Sequence, residues 1–128
     1  MAESQTILIV EDELSLLRVL EQKFRQQNFT ILTAKDGLEG LTLARTQHPA
    51  LILIDIIMPK MDGIAMIKEI RGEDGWGKEV PIILLTNLVD TEKADAAAEH
   101  NVHDYLVKAN WTLDDVVKKV KEKLLMPV

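Results

Sequence analysis

Cysteine is absent from the 128 residues, which excludes disulfide frameworks, thiolate zinc sites, cysteine nucleophiles and thiol redox chemistry in any compartment. Long hydrophobic runs are missing too. The apolar stretches at 50–54 and 82–85 fall far short of the ~20 residues that span a bilayer. No basic flank precedes an apolar segment at 1–6, so nothing reads as a secretory leader and the cytoplasm is the default. An excess of basic charge is also lacking. Acidic residues outnumber basic ones 21 to 15, for a net charge of −6, which speaks against a nonspecific grip on nucleic acid or anionic membrane except through a local basic patch. Neither is expected as a direct partner. Internal repeats, low-complexity tracts and linkers are absent as well.

What remains is the composition of one ordered globular domain, with 47% apolar and 28% charged residues in a chain long enough to bury a core. Five short apolar runs, at 6–10, 30–34, 51–54, 81–85 and 104–107, read as strands, and the segments between them have helical periodicity. Leu14, Leu17, Leu20 and Phe24 form the stripe of a first helix that stops near Asn28. A second helix spans 37–47 with Leu38, Leu41 and Ala44 inward and Pro49 beyond its end, and a third spans 63–71 through Ile64, Ile67 and Ile70. The glycines at 72, 75 and 77 with Asp74 mark a loop, the most mobile part expected, carrying an exposed-looking Trp76. A fourth helix at 91–100 is assigned an Asp90 cap and an Asn101 end. A fifth, at 112–125, is capped by Thr112 and buries Val116, Val117, Val120 and Leu124. Strands alternating with helices in this way predict a doubly wound, five-stranded parallel α/β sheet flanked by five helices.

In such sheets ligands bind beyond the carboxyl ends of the strands, near the switch in strand order. The first strand is followed by Glu11, Asp12 and Glu13, the third by Asp55, the fourth by Thr86 and Asn87, and the fifth by Lys108. Any one of these reads as well as a surface residue or a helix cap; their joint placement on one rim is what points to a site. Clustered carboxylates repel unless a cation lies among them, and oxygen donors without Cys or His favour magnesium. Asp55 follows a strand with no polar residue. A carboxylate there can attack phosphorus without a deprotonating base at neutral pH, with the metal, Thr86 and Lys108 stabilising charge on the transferring oxygens.

These residues resemble a known family. Ile7-Leu8-Ile9-Val10-Glu11-Asp12-Glu13, Asp55-Ile56-Ile57-Met58-Pro59-Lys60-Met61-Asp62-Gly63, Leu84-Leu85-Thr86 and Tyr105-Leu106-Val107-Lys108 look like the receiver domain of two-component response regulators, a flavodoxin-like fold. The likeness covers essentially the whole chain, with the four motifs in the family's order and spacing. It implies that Asp55 accepts phosphate from a phosphohistidine of a sensor histidine kinase or phosphotransfer protein, the domain catalysing only its own phosphorylation and dephosphorylation. It implies further that Asp12, Asp55 and the Ile57 carbonyl ligate Mg2+, that Glu11 assists through water, and that Thr86 and Lys108 contact the phosphoryl group. Tyr105 would switch its side chain together with Thr86. On the residues alone, a strand tyrosine packing its ring on the fourth helix accounts for Tyr105 equally well. The face formed by the fourth helix, fifth strand and fifth helix is implied as a docking site for a downstream protein, and it leaves room for a homodimer.

The chain departs from the family at Ala109, where proline often follows the lysine, at Asn87, where a very small residue is favoured, and at Gly40, where alanine is usual. None of the three removes a reacting group. Ile57 and Leu88, two residues after Asp55 and Thr86, are apolar and cannot orient an attacking water, which predicts slow autodephosphorylation. His48, His100 and His103 lack ligand spacing and read as solvated or capping residues. Lys118, Lys119, Lys121 and Lys123 read as a solvated face that complements the helix dipole. Only Met126, Pro127 and Val128 follow Leu125, so the expectation is a single receiver domain over 1–128, standing alone or excised from a larger regulator. Two other classes compete: a constitutive interaction module with the same fold that is never phosphorylated, and a small metal-dependent phosphohydrolase. The intact set Asp12, Asp55, Thr86 and Lys108 argues against the first. The lack of an evident substrate pocket argues against the second.

Overall fold

β-Branched and leucine runs flanked by polar turns form five strands: β1 (Thr6–Val10), β2 (Thr30–Ala34), β3 (Leu51–Asp55), β4 (Ile82–Thr86) and β5 (Asp104–Val107). The computed structural model describes residues 5–73, 75–86 and 91–125. The strands pair in parallel in the order β2-β1-β3-β4-β5. The chain therefore leaves β1 to one side for β2 and returns past it for β3, which places the switch in strand order between β1 and β3.

Strand parity divides the core in two. Ile7, Ile9, Leu51, Leu53, Ile83 and Leu85 face one layer, where they pack on Leu17, Leu20 and Phe24 of α1 (Leu14–Gln26) and on Val116, Val117 and Val120 of α6 (Leu113–Lys123). Leu8, Val10, Ile52, Ile54, Ile82 and Leu84 face the other. There they meet α2 (Gly37–Gln47), α3 (Gly63–Arg71) and α5 (Thr91–Ala98) through Leu41, Ala44, Met66, Ile67, Ile70 and Ala97. Side chains that alternate along buried parallel strands leave both sheet faces apolar, as the unbroken runs predict.

Caps fix the helix phases. Asp36 accepts from Glu39 N at 2.8 Å, Asp62 from Ala65 N at 2.8 Å, and Thr112 and Asp115 form a reciprocal capping box. Asn28, His48 and Asn101 end their helices with left-handed backbone at φ 70°, 44° and 60°. The Asp90 cap lies outside the described residues.

Several expectations need correction. The sequence pattern puts Leu38 inward and Leu14 in the apolar stripe of the first helix, but both are exposed. The Asp36 cap phases α2 so that Gly37, Gly40, Leu41 and Ala44 face the sheet, and Leu14, the first residue of α1, lies ahead of the buried stripe. The fourth helix ends at Ala98, not 100, and the fifth covers 113–123, not 112–125, with Leu124 partly buried.

The glycine-rich loop is not a free one, for Trp76–Glu79 forms a single helical turn, α4. Trp76 is half-buried, donates its indole N–H to Pro49 O at 2.9 Å and stacks on His48 with centroids 4.6 Å apart. Arg71 ties this turn to the end of α5, donating to Gly77 O at 2.9 Å and His100 O at 2.8 Å. Asp74 lies outside the described residues. Three of the four lysines of α6 are engaged: Lys119 and Lys123 pair with Asp104 at 3.1 and 2.7 Å, and Lys121 bonds Gln27.

Candidate functional site

Each strand runs out of apolar residues at the same rim. Strand β1 gives way to Glu11, whose N–H donates to Ala34 O of β2 at 3.0 Å, so the chain is still held to the sheet as it turns inward. The Glu11 side chain is fully buried and Asp12 beside it is exposed. Asp55 is the last residue of β3, one residue longer than the apolar run suggested, and is 5% exposed. Thr86 closes β4, buried and in register with Val107. Lys108 follows β5 at the start of a 3-10 turn, Lys108–Asn110.

Four of the sequence-selected groups, Glu11, Asp12, Asp55 and Lys108, converge from the ends of three strands. Carboxylate oxygens of Glu11, Asp12 and Asp55 lie within 4.8 Å of one another. Lys108 Nζ is 2.5 Å from Glu11 Oε1 and 3.3 Å from Asp55 Oδ2.

Burial controls the electrostatics. Loss of solvent raises the proton affinity of Glu11, to a pKa of about 7; the Asp55 charge adds to this, while Lys108 and the Glu13 N–H oppose it. Asp55 is raised in the same way by burial, with a contribution from Asp12, against the opposing hydrogen bond from Glu11 and charge of Lys108. For Lys108 burial alone would lower the pKa, but the Glu11 hydrogen bond and the charges of Asp55 and Glu11 outweigh it and the net shift is upward. One ammonium is thus shared by two buried carboxylates with a third carboxylate close by, an excess of hard oxygen donors over cations. That is the donor set of a hexacoordinate, oxygen-seeking ion, and it fits magnesium.

The family model described as response regulator receiver domain matches residues 7–121. The chain belongs to that family. Receiver domains of two-component response regulators are signalling modules and not enzymes that turn over external substrates, and they generally bind Mg2+. This receiver is 39% identical over 102 residues to the probable transcriptional regulator ycf27 of Cyanophora paradoxa, covering 80% of this chain and 41% of that protein. It is 31% identical over 115 residues to the response regulator ArlR of Staphylococcus aureus (strain Mu50 / ATCC 700699), covering 90% and 50%. The receiver therefore spans half or less of the curated relatives it matches. Among solved structures, the receiver domain of sensor histidine kinase PA1611 from Pseudomonas aeruginosa PAO1, with a magnesium ion coordinated in its active site cleft, superposes with TM-score 0.83 at 28% identity over 93% of this chain and 96% of that one. The Francisella response regulator 1452 receiver domain gives 0.81 at 28% identity over 92% and 94%.

The remaining selected residues fall around this receiver's rim. Ile57, in the loop after β3, is 75% exposed. Tyr105 is exposed on β5; its register partner is Leu84, and Thr86 pairs with Val107. Leu88 and Asn87 lie outside the described residues. No cis peptide bond occurs among the described residues, so the Lys108–Ala109 bond is trans.

The histidines are distant from the acidic cluster in role. His48 caps α2 and stacks on Trp76, at an open cleft of about 410 Å3 lined also by Pro49, Val80 and Pro81. That cleft is at the opposite pole, by the strands' first residues, away from the reactive groups. Sequence reasoning missed the turn between β2 and α2. Asp36 Oδ2 lies 3.6 Å from Lys60 Nζ of the loop after β3, and Gly37 meets Met61 of that loop. The Asp-Gly pair opening α2 was the available signal, but its partner is more than twenty residues away.

Proposed function

We propose that this receiver is a magnesium-dependent phosphorylation switch in which Asp55 accepts a phosphoryl group from a phosphohistidine of a sensor histidine kinase or phosphotransfer protein. The observation that carries the reading is the convergence of Glu11, Asp12, Asp55 and Lys108 at the ends of β1, β3 and β5. An Asp55 oxygen forms the new bond to phosphorus as the phosphorus–nitrogen bond to the donor imidazole breaks, and the imidazole nitrogen leaves with the bonding pair. Lys108, already 3.3 Å from Asp55, neutralises charge on the acyl phosphate, and the Thr86 hydroxyl donates to a phosphoryl oxygen. Glu11, Asp12, Asp55 and the Ile57 carbonyl would hold Mg2+, which when bound supplies charge neutralisation to the transferring oxygens. Burial of Asp55 shields the acyl phosphate from bulk water.

The output is a change of surface. Tyr105, exposed on β5, reports occupancy of the site together with Thr86, and the face of α5, β5 and α6 presents the result to a downstream protein or a second copy of the chain. Residues 1–128 act as one receiver domain in the cytoplasm, and the domain's catalysis is confined to its own phosphorylation and dephosphorylation.

The test is intact mass after incubation with magnesium and acetyl phosphate, beside Asp55→Asn. A phosphate-sized, alkali-labile gain in the native chain alone is the expected outcome. No gain with magnesium bound would bring the constitutive interaction module forward.

A further inference from the structure

The loop from Asp55 to Gly63 carries both the phosphoacceptor and the Ile57 carbonyl. It is a tight structure closed on itself: Gly63 N donates to Ile56 O at 2.7 Å, Met61 N donates to Pro59 O at 2.7 Å, and Lys60 between them is left-handed at φ 67°. Gly63 has no room for a side chain, because a Cβ there would collide with Asp55 O. Met61 is thus held to Pro59 O, and Gly63 two residues on is held to Ile56 O.

A second piece of backbone is pressed against Met61 from outside. An ideal Cβ on Gly37, the first residue of α2, would overlap the Met61 carbonyl oxygen and lie 2.8 Å from Met61 C. The conflict is with backbone, so no rotamer change relieves it; one of the two chains would have to move. Glycine is not there for its backbone freedom, since Gly37 has no positive φ and alanine forms helix better. Its neighbour Asp36 completes the contact through Lys60, at 3.6 Å, while capping α2 through Glu39 N.

We propose that the Asp36–Gly37 turn is a backstop for the phosphoacceptor loop, and that Gly37 is a positioning residue for magnesium binding at Asp55 and the Ile57 carbonyl. The inference rests on the magnesium-dependent reading above. It adds that the metal site is set from the β2–α2 side, by residues that contribute no ligand. Outer-layer residues that hold metal ligands in place characteristically alter affinity by roughly 10- to 100-fold when changed, and a displaced loop acts in the same way.

The experiment is calorimetric titration of the full chain with MgCl2 alone, alongside urea denaturation. Gly37→Ala is compared with Gly40→Ala on the same helix, where the nearest atoms to a Cβ would be the Val10 and Met66 side chains, at 2.9 to 3.1 Å, and these lie outside the loop. Gly37→Ala is expected to weaken magnesium binding about tenfold, and Gly40→Ala less than about twofold, whatever each does to stability. Equal affinity in Gly37→Ala and the native chain overturns the proposal, as does an equal loss in both variants. If Gly37→Ala does not fold, Asp36→Asn decides, because asparagine still caps the helix but loses the charge facing Lys60. About threefold weaker binding supports the backstop on the same reasoning, and unchanged binding overturns it. Failure of the native chain to bind magnesium would instead count against the metal-dependent reading itself.

Discussion

Lys108 donates to Glu11 at 2.5 Å and stands farther, at 3.3 Å, from Asp55, so the fully buried glutamate is its closer partner. Replacing it by methionine removes the cation from between two buried carboxylates, which can then avoid repulsion only by holding a proton. Lys108→Met is expected to cost little stability near pH 5.5 and progressively more toward pH 8.5 in EDTA, because only the ionised pair repels. Thermal melts across that range measure it, and phosphorylation by acetyl phosphate should be slowed at least ~10-fold through loss of charge stabilisation.

Magnesium should reverse a pH trend. Glu11 is raised from 4.5 to about 7 in the folded chain, so between those values the folded state binds more protons than the unfolded one. Its contribution to stability is complete below 4.5 and lost as pH rises through 7. Since metal binding needs the carboxylates ionised, the melting temperature gained on adding magnesium should be larger near pH 8 than near pH 5.5. An equal gain at both would show that Glu11 is not coupled to the ion.

Asp104 shows the opposite sign. Burial opposes its ionisation, but Lys123 and Lys119 outweigh that and hold its carboxyl below the usual range. The stability this provides is present above the unfolded pKa and lost as pH falls through the folded one. The groups are partly exposed, so Asp104→Asn is expected to cost less than ~1 kcal/mol at neutral pH, and less still in high salt. Urea midpoints at low and high ionic strength measure the difference.

Trp76→Ala should separate stability from site chemistry. The ring packs on the core edge and its N–H is bonded to Pro49 O, so its loss is expected to cost roughly 2–3 kcal/mol, below the range for a fully buried tryptophan. Magnesium affinity should not move, because the ring is at the far pole. Denaturation and calorimetry on one sample test both halves.

The exposed Ile57 side chain offers no hydrogen bond to water approaching an acyl phosphate at Asp55. Ile57→Asn is therefore expected to shorten the phosphorylated half-life, read by loss of the mass adduct after the phosphodonor is removed. An unchanged half-life would assign Ile57 no part in it.

Strand runs such as 51–54, with no polar residue, were legible because burial on both faces demands that composition. The helix ends at Asn28 and Asn101 and the Thr112 cap were legible because their chemistry is local. The acids, Thr86 and Lys108 could be gathered onto one rim because parallel strands all finish on the same side. What escaped is tertiary. Trp76 looked exposed among glycines, yet its partners His48 and Pro49 come from a turn more than twenty-five residues earlier. Leu38 looked apolar enough to bury, but the Asp36 cap sets the rotation of its helix. The clash awaiting a side chain at Gly37 depends on Met61, and no spacing rule links the two.

Of the 2 tryptophans in the chain, Trp76 stands beside the first residues of the strands, and Trp111 follows the turn that begins at Lys108. The molecule thus carries an intrinsic fluorophore at each end of its sheet. The Trp111 indole N–H is buried and meets no acceptor among the described residues, so its emission should respond to any water or acceptor that rearrangement at the rim delivers, while Trp76 registers opening at the opposite end. In single-tryptophan variants, ligand-driven and denaturant-driven spectral changes become distinguishable without an attached dye.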